Sequence, residues 1–106
     1  MRLKDDTVKI QGISPELLFG LNVADKVYEN HDQELVITSL NDGEHSLTSL
    51  HYSGNAGDLR TYYFVSKVIV IVKNEIKERL GNDYDVVIEE DHMHLEFQPK
   101  RPLIIK

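Results

Sequence analysis

Two short segments of this chain are rich in side chains that bind metals. In the first, His51 and Asp58 are seven residues apart and bracket a glycine-containing turn. In the second, an acidic run leads into a His-x-His pair formed by His92 and His94. Imidazoles and a carboxylate are typical ligands of catalytic zinc, which three protein ligands hold while one position stays open for water. The two segments therefore predict a catalytic zinc site with a spare acid beside it as general base.

The His-x-His pair gains its meaning from the strand in which it is predicted to lie. Successive side chains of a strand alternate between its faces, so His92, His94 and Glu96 share one face while their apolar neighbours face the core. A His-x-His pair alone is more typical of a solvated strand face than of a metal site. His51 and Asp58 shift the interpretation toward a metal site, because they add the missing ligand types.

The size and composition of the chain restrict its class. With 106 residues it is expected to form one domain, spanning 1–106. Its 18 acidic residues outnumber 12 basic ones, the net charge is -6 and no basic run occurs, so no nucleic-acid partner is expected. Because the chain has no cysteine, any metal must be held by histidine and carboxylate.

No segment of the sequence predicts membrane insertion or export. No apolar stretch approaches the roughly 18 residues that a membrane-spanning helix requires, so no membrane partner is expected. The first residues carry charges where a signal peptide has an apolar core. We therefore expect synthesis in the cytoplasm without a signal peptide.

Two helices are predicted from caps and apolar spacing. Ser14 as N-cap, followed by Pro15, predicts a helix from 15 to about 30. Residues 62–80 contain a strand-like run of valine and isoleucine. Their length, their helical apolar stripe and the glycine at 81 nevertheless predict a helix, buried on most of its circumference.

The remaining elements complete an α+β pattern. Short β-branched or alternating segments predict strands at 34–39, 56–60, 84–89 and 92–98, the last two as a hairpin. A turn is predicted at 41–43 and an extended tail at 99–106. The order α-β-β-α-β-β predicts an α+β fold, with a small antiparallel sheet and flanking helices on one side.

At these residues the sequence resembles a known family. Ser-x-His-x-x-Gly-x-Ala-x-Asp at 49–58, followed by Asp-His-x-His at 91–94, is similar to the signature of the zinc D-alanyl-D-alanine carboxypeptidases. Their superfamily includes the L-alanyl-D-glutamate endopeptidases of phage lysins and the signalling domain of hedgehog proteins. Residues 42–52 look especially like hedgehog and small phage-encoded members. The resemblance covers about 37–97 and implies a hedgehog/DD-peptidase-like fold.

The resemblance also implies a role for each motif residue. His51, Asp58 and His94 match the ligands of one zinc ion per chain. Asp91, three residues before the last ligand, matches the general base that activates the attacking water. His92 matches the histidine that helps to stabilise the tetrahedral intermediate in some members.

Two acids compete for the role of general base. Glu89 is the rival of Asp91, because Glu89 and His92 fit the Glu-x-x-His spacing of other members. Asp91 is preferred because His94 is the better ligand match. Strict alternation would turn Asp91 away from the zinc, so it is expected in the turn before the strand.

The substrate-binding residues are less defined. Many peptidases of the family carry an arginine upstream of the first zinc histidine that binds a substrate carboxylate, whereas no arginine lies between Arg2 and Arg60 here. The candidates for substrate contacts are His45, Ser49, Arg60 and Glu89, with Lys26 as a further cationic donor.

The resemblance implies a zinc-dependent peptidase that hydrolyses peptidoglycan stem peptides. The missing arginine favours an L-Ala-D-Glu endopeptidase over a D-Ala-D-Ala carboxypeptidase, since only the latter must hold a free carboxylate. Such a protein would act at the cell wall after release, or as a phage component such as a lysin. The alternative is a non-catalytic, zinc-stabilised binding module of hedgehog type. A spare base argues against that alternative, because a purely structural site needs none.

Overall fold

Two helices and five strands make up the part of the chain that the structure, a computed structural model, describes: residues 1–40 and 54–99. In chain order they are β1 (Arg2–Leu3), α1 (Pro15–Asn30), β2 (Val36–Ser39), β3 (Ala56–Arg60), α2 (Ser66–Leu80), β4 (Tyr84–Ile88) and β5 (His92–Phe97). The strands form one sheet in the order β1-β2-β3-β5-β4. The predicted turn at 41–43 and nearly all of the predicted tail lie outside the described residues.

The predicted α+β class is confirmed, but the sheet is mixed rather than antiparallel. The strand β1, which the sequence analysis missed, pairs in parallel with β2, while the other neighbours are antiparallel. Its pairing extends to the backbone N–H of Lys4, which donates to the carbonyl of Ile37 at 2.8 Å. A strand of two residues carries too little alternation to be recognised from sequence.

The helix α1 has the predicted bounds because its cap is present. The N–H of Leu17 donates to Oγ of Ser14 at 3.0 Å, which satisfies one of the free donors at the helix start. One side of α1 is buried against the sheet, including Leu21 and Tyr28. The hydroxyl of Tyr28 donates to the carbonyl of Arg60 at 2.9 Å and so ties the helix to the end of β3.

The second predicted helix is also confirmed as α2, but its predicted burial is wrong. Val72 and Ile76 are fully buried, whereas Val70 and Ile71 are 47% and 50% exposed. Within 1–40 and 54–99 a single layer of helices covers one face of the sheet, so each helix has one inward side. Gly81 ends α2 with a φ of 81°, in agreement with the predicted glycine cap. Neither described helix is long and apolar enough to cross a membrane.

The hydrophobic core lies on one face of the sheet, between the sheet and the two helices. Leu59 of β3 and Met93 and Leu95 of β5 are fully buried in one cluster with residues of both helices. Alternation along the strands then places Asp58 and His94 on the opposite face of the sheet. The predicted assignment of the apolar face of β5 to the core is therefore confirmed.

Alkaline pH should destabilise the fold through Tyr63. Its hydroxyl donates to the carbonyl of Glu34 at 2.6 Å, and burial raises its pKa to about 12. Because the folded pKa exceeds the ordinary value of 10, this contribution is complete below pH 10 and is lost as the pH rises toward 12. We expect the melting temperature to fall over that range, and to fall less in Tyr63→Phe, by circular dichroism. Equal slopes in both proteins would contradict this.

Candidate metal and catalytic site

The centre of the candidate site is a cross-strand pair. The antiparallel register of β3 and β5 places Asp58 opposite His94 and Arg60 opposite His92. Directly opposed side chains of neighbouring strands lie on the same face and close together. Accordingly, Nδ1 of His94 donates to Oδ1 of Asp58 at 2.9 Å. The fold thus brings together two of the three predicted zinc ligands, which are 36 residues apart in the chain.

His92 connects this pair to Asp91. Nε2 of His92 lies 3.6 Å from Oδ1 of Asp58, and its Nδ1 lies 2.6 Å from Oδ1 of Asp91. Asp91 precedes β5, so the alternation of the strand does not constrain it, as the sequence analysis expected. Its side chain is 87% exposed, whereas Asp58 is 17% exposed. The accessible acid is thus adjacent to the half-buried pair of Asp58 and His94 without being part of it.

The hydrogen bonds of the site shift two pKa values in opposite directions. The hydrogen bond with Asp58 raises the pKa of His94 above its usual value, despite the opposing effect of burial. The hydrogen bond from His92 lowers the pKa of Asp91. Asp91 is therefore ionised at neutral pH, which is the form that a general base requires.

Glu89, the rival base, has a different role in the fold. Its backbone N–H donates to the carbonyl of His92 at 2.8 Å and closes the connection between β4 and β5. Its side chain is exposed and forms no hydrogen bond or ion pair with any residue in 1–40 or 54–99. Of the two acid side chains, only that of Asp91 contacts the imidazole of His92.

The donor atoms present are compatible with zinc. Ligand atoms about 2.0–2.2 Å from a tetrahedral zinc are roughly 3.3 Å apart, so the 2.9 Å between Asp58 and His94 needs to open by only a few tenths of an ångström. Within 1–40 and 54–99 no group of three such residues is arranged to hold a metal. The third predicted ligand, His51, lies outside the described residues, as do His45 and Ser49.

Of the two described cations considered for substrate binding, one lies at the site. Arg60 shares the face of Asp58, and its guanidinium carbon is 5.4 Å from the centre of the Tyr62 ring. Lys26 belongs to α1, which covers the other face of the sheet. Its Nζ lies 3.9 Å from Oε2 of Glu29. Arg60 is therefore the better placed of these two.

An open groove that the sequence analysis did not predict adjoins Asp91. It encloses about 490 Å³ and is lined by apolar side chains such as Phe64 and Ile69 and by Glu89, Glu90 and Asp91. The sequence feature that could have indicated this groove is the valine and isoleucine run of α2, because Ile69 and Val70 of that run line it. The groove reaches Asp91 from the side of α2, whereas Asp58 and His94 lie on the other face of the sheet.

Gly54 shapes the chain where it enters β3. Its φ is 76°, a conformation that L-residues with side chains rarely adopt. Its carbonyl accepts a hydrogen bond from the N–H of Ser14 at 2.9 Å, which ties this turn to the start of α1. A Cβ at this position would overlap the carbonyl oxygen of Gly12. The backbone conformation and the contact with Gly12 thus explain why position 54 of the motif is a glycine.

Gly54→Ala should lower the free energy of unfolding by about 2 kcal/mol or more, because backbone strain adds to the overlap with Gly12. Gly81→Ala is the matched control, since Gly81 also has a positive φ but nothing lies within 4 Å of an added Cβ. Urea unfolding of both variants measures the difference. A cost at Gly54 no larger than that at Gly81 would show that the contact with Gly12 is unimportant.

Comparison with known proteins adds no family assignment: no protein-family model matches the sequence, and no curated protein matches it.

Proposed function

We propose that this chain is a zinc-dependent peptidase that hydrolyses peptidoglycan stem peptides, with a fold like that of the hedgehog and D-Ala-D-Ala peptidases. The observation that carries the proposal is the contact between Asp58 and His94, with Asp91 and His92 next to it. These four residues occupy the motif positions for ligands, base and oxyanion stabiliser. Asp58, His92 and His94 share one sheet face and Asp91 contacts His92 at the start of β5, and this proximity supports a shared chemical role.

In the proposed site His51, Asp58 and His94 hold the metal. Bound zinc supplies a Lewis acid that lowers the pKa of water toward about 7. The metal-free hydrogen bond from Nδ1 of His94 to Asp58 must give way, since a ligating nitrogen carries no proton. This exchange of a proton for a metal makes the loading of the site dependent on pH.

Asp91 is the proposed general base. Its carboxylate accepts the proton of the attacking water and later delivers it to the leaving amine. Its high exposure leaves the carboxylate accessible to a substrate at the edge of the sheet face that carries Asp58 and His94.

His92 is the proposed stabiliser of the oxyanion. With Nδ1–H directed at Asp91, its Nε2 lies 3.6 Å from Asp58, on the side of the proposed metal. In the proposed role an N–H at Nε2 of His92 donates to the developing oxyanion. Asp91 therefore also orients the histidine with which it acts.

The proposed reaction is endopeptidase cleavage within the stem, between L-Ala and D-Glu. A carboxypeptidase must bind a free terminal carboxylate, for which a bidentate arginine is the best partner. Arg60 is near the site, but its guanidinium is associated with the ring of Tyr62. An endopeptidase needs no such partner, because more peptide continues beyond the cleaved bond.

Mass spectrometry of muropeptides digested by the zinc-loaded protein tests this function. We expect cleavage of the L-Ala–D-Glu bond, and its loss on removal of zinc by a chelator. Release of free D-alanine with that bond intact would refute the endopeptidase and support the carboxypeptidase. Zinc binding without hydrolysis of either bond would refute the enzyme and support the zinc-stabilised binding module.

A further inference from the structure

The imidazole of His94 lies between two carboxylates. Its Nδ1 is 2.9 Å from Oδ1 of Asp58, and its Nε2 is 3.5 Å from Oε1 of Glu96. Glu96 follows His94 by two residues on β5, so alternation places both on the same face. The residue opposite Glu96 in β3 is Ala56, which has no polar side chain that could pair with Glu96.

We propose that Glu96 is a positioning residue that accepts the Nε2 proton of His94 and thereby presents Nδ1 to the metal. This inference rests on the proposed zinc site. A neutral imidazole carries one proton, and the nitrogen that ligates must be the one without it. If Nδ1, the nitrogen beside Asp58, ligates the proposed zinc, the proton must move to Nε2, and Glu96 is the carboxylate nearest to that nitrogen.

The surroundings of Glu96 support this role. Its side chain is only 18% exposed, and within 1–40 and 54–99 its one ion-pair partner is His94. A carboxylate withdrawn from water is costly unless it is paired or hydrogen-bonded. No described lysine or arginine side chain pairs with Glu96, so an imidazole N–H is the group that offsets this cost. Ligating histidines commonly donate their second N–H to a carboxylate in this way.

Zinc affinity measures the role directly, without reference to hydrolysis. Competition with a chelator at fixed pH should show that Glu96→Ala binds zinc about 10–100-fold more weakly than wild type, the usual effect of losing such a partner. Glu96→Gln keeps an acceptor oxygen without the charge, so we expect a loss between those of wild type and Glu96→Ala. It also gives a result if the alanine variant does not fold.

The matched control is Asp85→Asn. Asp85 lies opposite Glu96 on β4 and shares its face, so this variant removes the same charge from the neighbouring strand. We expect its zinc affinity to stay within about twofold of wild type. In zinc-loaded protein, nitrogen-15 NMR should show the Nε2 proton of His94, slowed in exchange by Glu96, and Glu96→Ala should lose that protection.

The outcomes separate this role from the zinc site itself. Wild-type affinity and an unchanged Nε2 proton in Glu96→Ala would overturn the role of Glu96 and leave the zinc site intact. Equal losses of zinc affinity in Glu96→Ala and Asp85→Asn would mean that any nearby negative charge has the same effect, and would also overturn the positioning role of Glu96. Absence of zinc binding by the wild-type chain would refute the proposed function, and the role of Glu96 with it.

Discussion

Asp91→Ala is expected to hydrolyse muropeptides about 10²–10⁴-fold more slowly than wild type while still binding one zinc per chain. Asp91 contacts His92 rather than the Asp58–His94 pair, so its removal leaves the described ligands in place. Because its side chain is 87% exposed, the substitution should cost little stability. Initial rates by liquid chromatography, together with metal analysis, measure both properties.

Two further variants identify what Asp91 does. Asp91→Asn keeps an acceptor oxygen for His92 but cannot take a proton from water, so it should be nearly as inactive as Asp91→Ala. Glu89→Ala should retain most activity, since Glu89 contributes its backbone N–H to the turn and alanine keeps that group. A near-normal rate for Asp91→Ala together with an inactive Glu89→Ala would assign the base to Glu89.

His94→Ala should lose zinc. Structural zinc sites bind with about 10–16 kcal/mol, or about 3 kcal/mol for each of four ligands, so loss of one ligand weakens binding roughly a hundredfold or more. His92→Ala is the matched control two residues away on the same strand face, and it should keep its zinc while losing activity. Full zinc occupancy of His94→Ala after dialysis would refute the ligand assignment.

The same site predicts the direction of the pH effect on zinc binding. Protons compete with the metal for His94, and its hydrogen bond to Asp58 raises its pKa in the metal-free protein. The apparent affinity should therefore fall with decreasing pH, beginning above the ordinary histidine pKa of about 6.5. Zinc titrations between pH 5.5 and 8 measure the onset of this fall.

Local signals predicted much of the fold, and the failures have tertiary causes. Ser14 and Pro15 determine the start of α1, and the observed helix and the strand β3 have the predicted bounds. The run around Val70 forms a helix as predicted, but its burial depended on how many layers cover α2, which no local pattern records. The strand β1 exists through its pairing with β2, a contact between distant segments.

The candidate site divides in the same way. Alternation correctly predicted that the apolar residues of β5 face the core, which leaves His92 and His94 on the other face. The register that sets Asp58 against His94 depends on which strands are neighbours, and the sequence analysis had predicted only the β4–β5 hairpin. The orientation of the His94 ring determines that Nδ1 faces Asp58 and Nε2 faces Glu96, and the sequence does not show this orientation.

The adjacency of β3 and β5 would give the proposed metal a second effect, on stability. These strands are neighbours in the sheet although α2 and β4 intervene in the chain, so an ion bound to Asp58 and His94 acts as a removable cross-link. A ligand that binds only the folded state stabilises it by about 2.7 kcal/mol at a hundredfold excess over its Kd. Zinc scarcity would then loosen the sheet itself, so resistance to proteolysis and to heat would follow the supply of the ion.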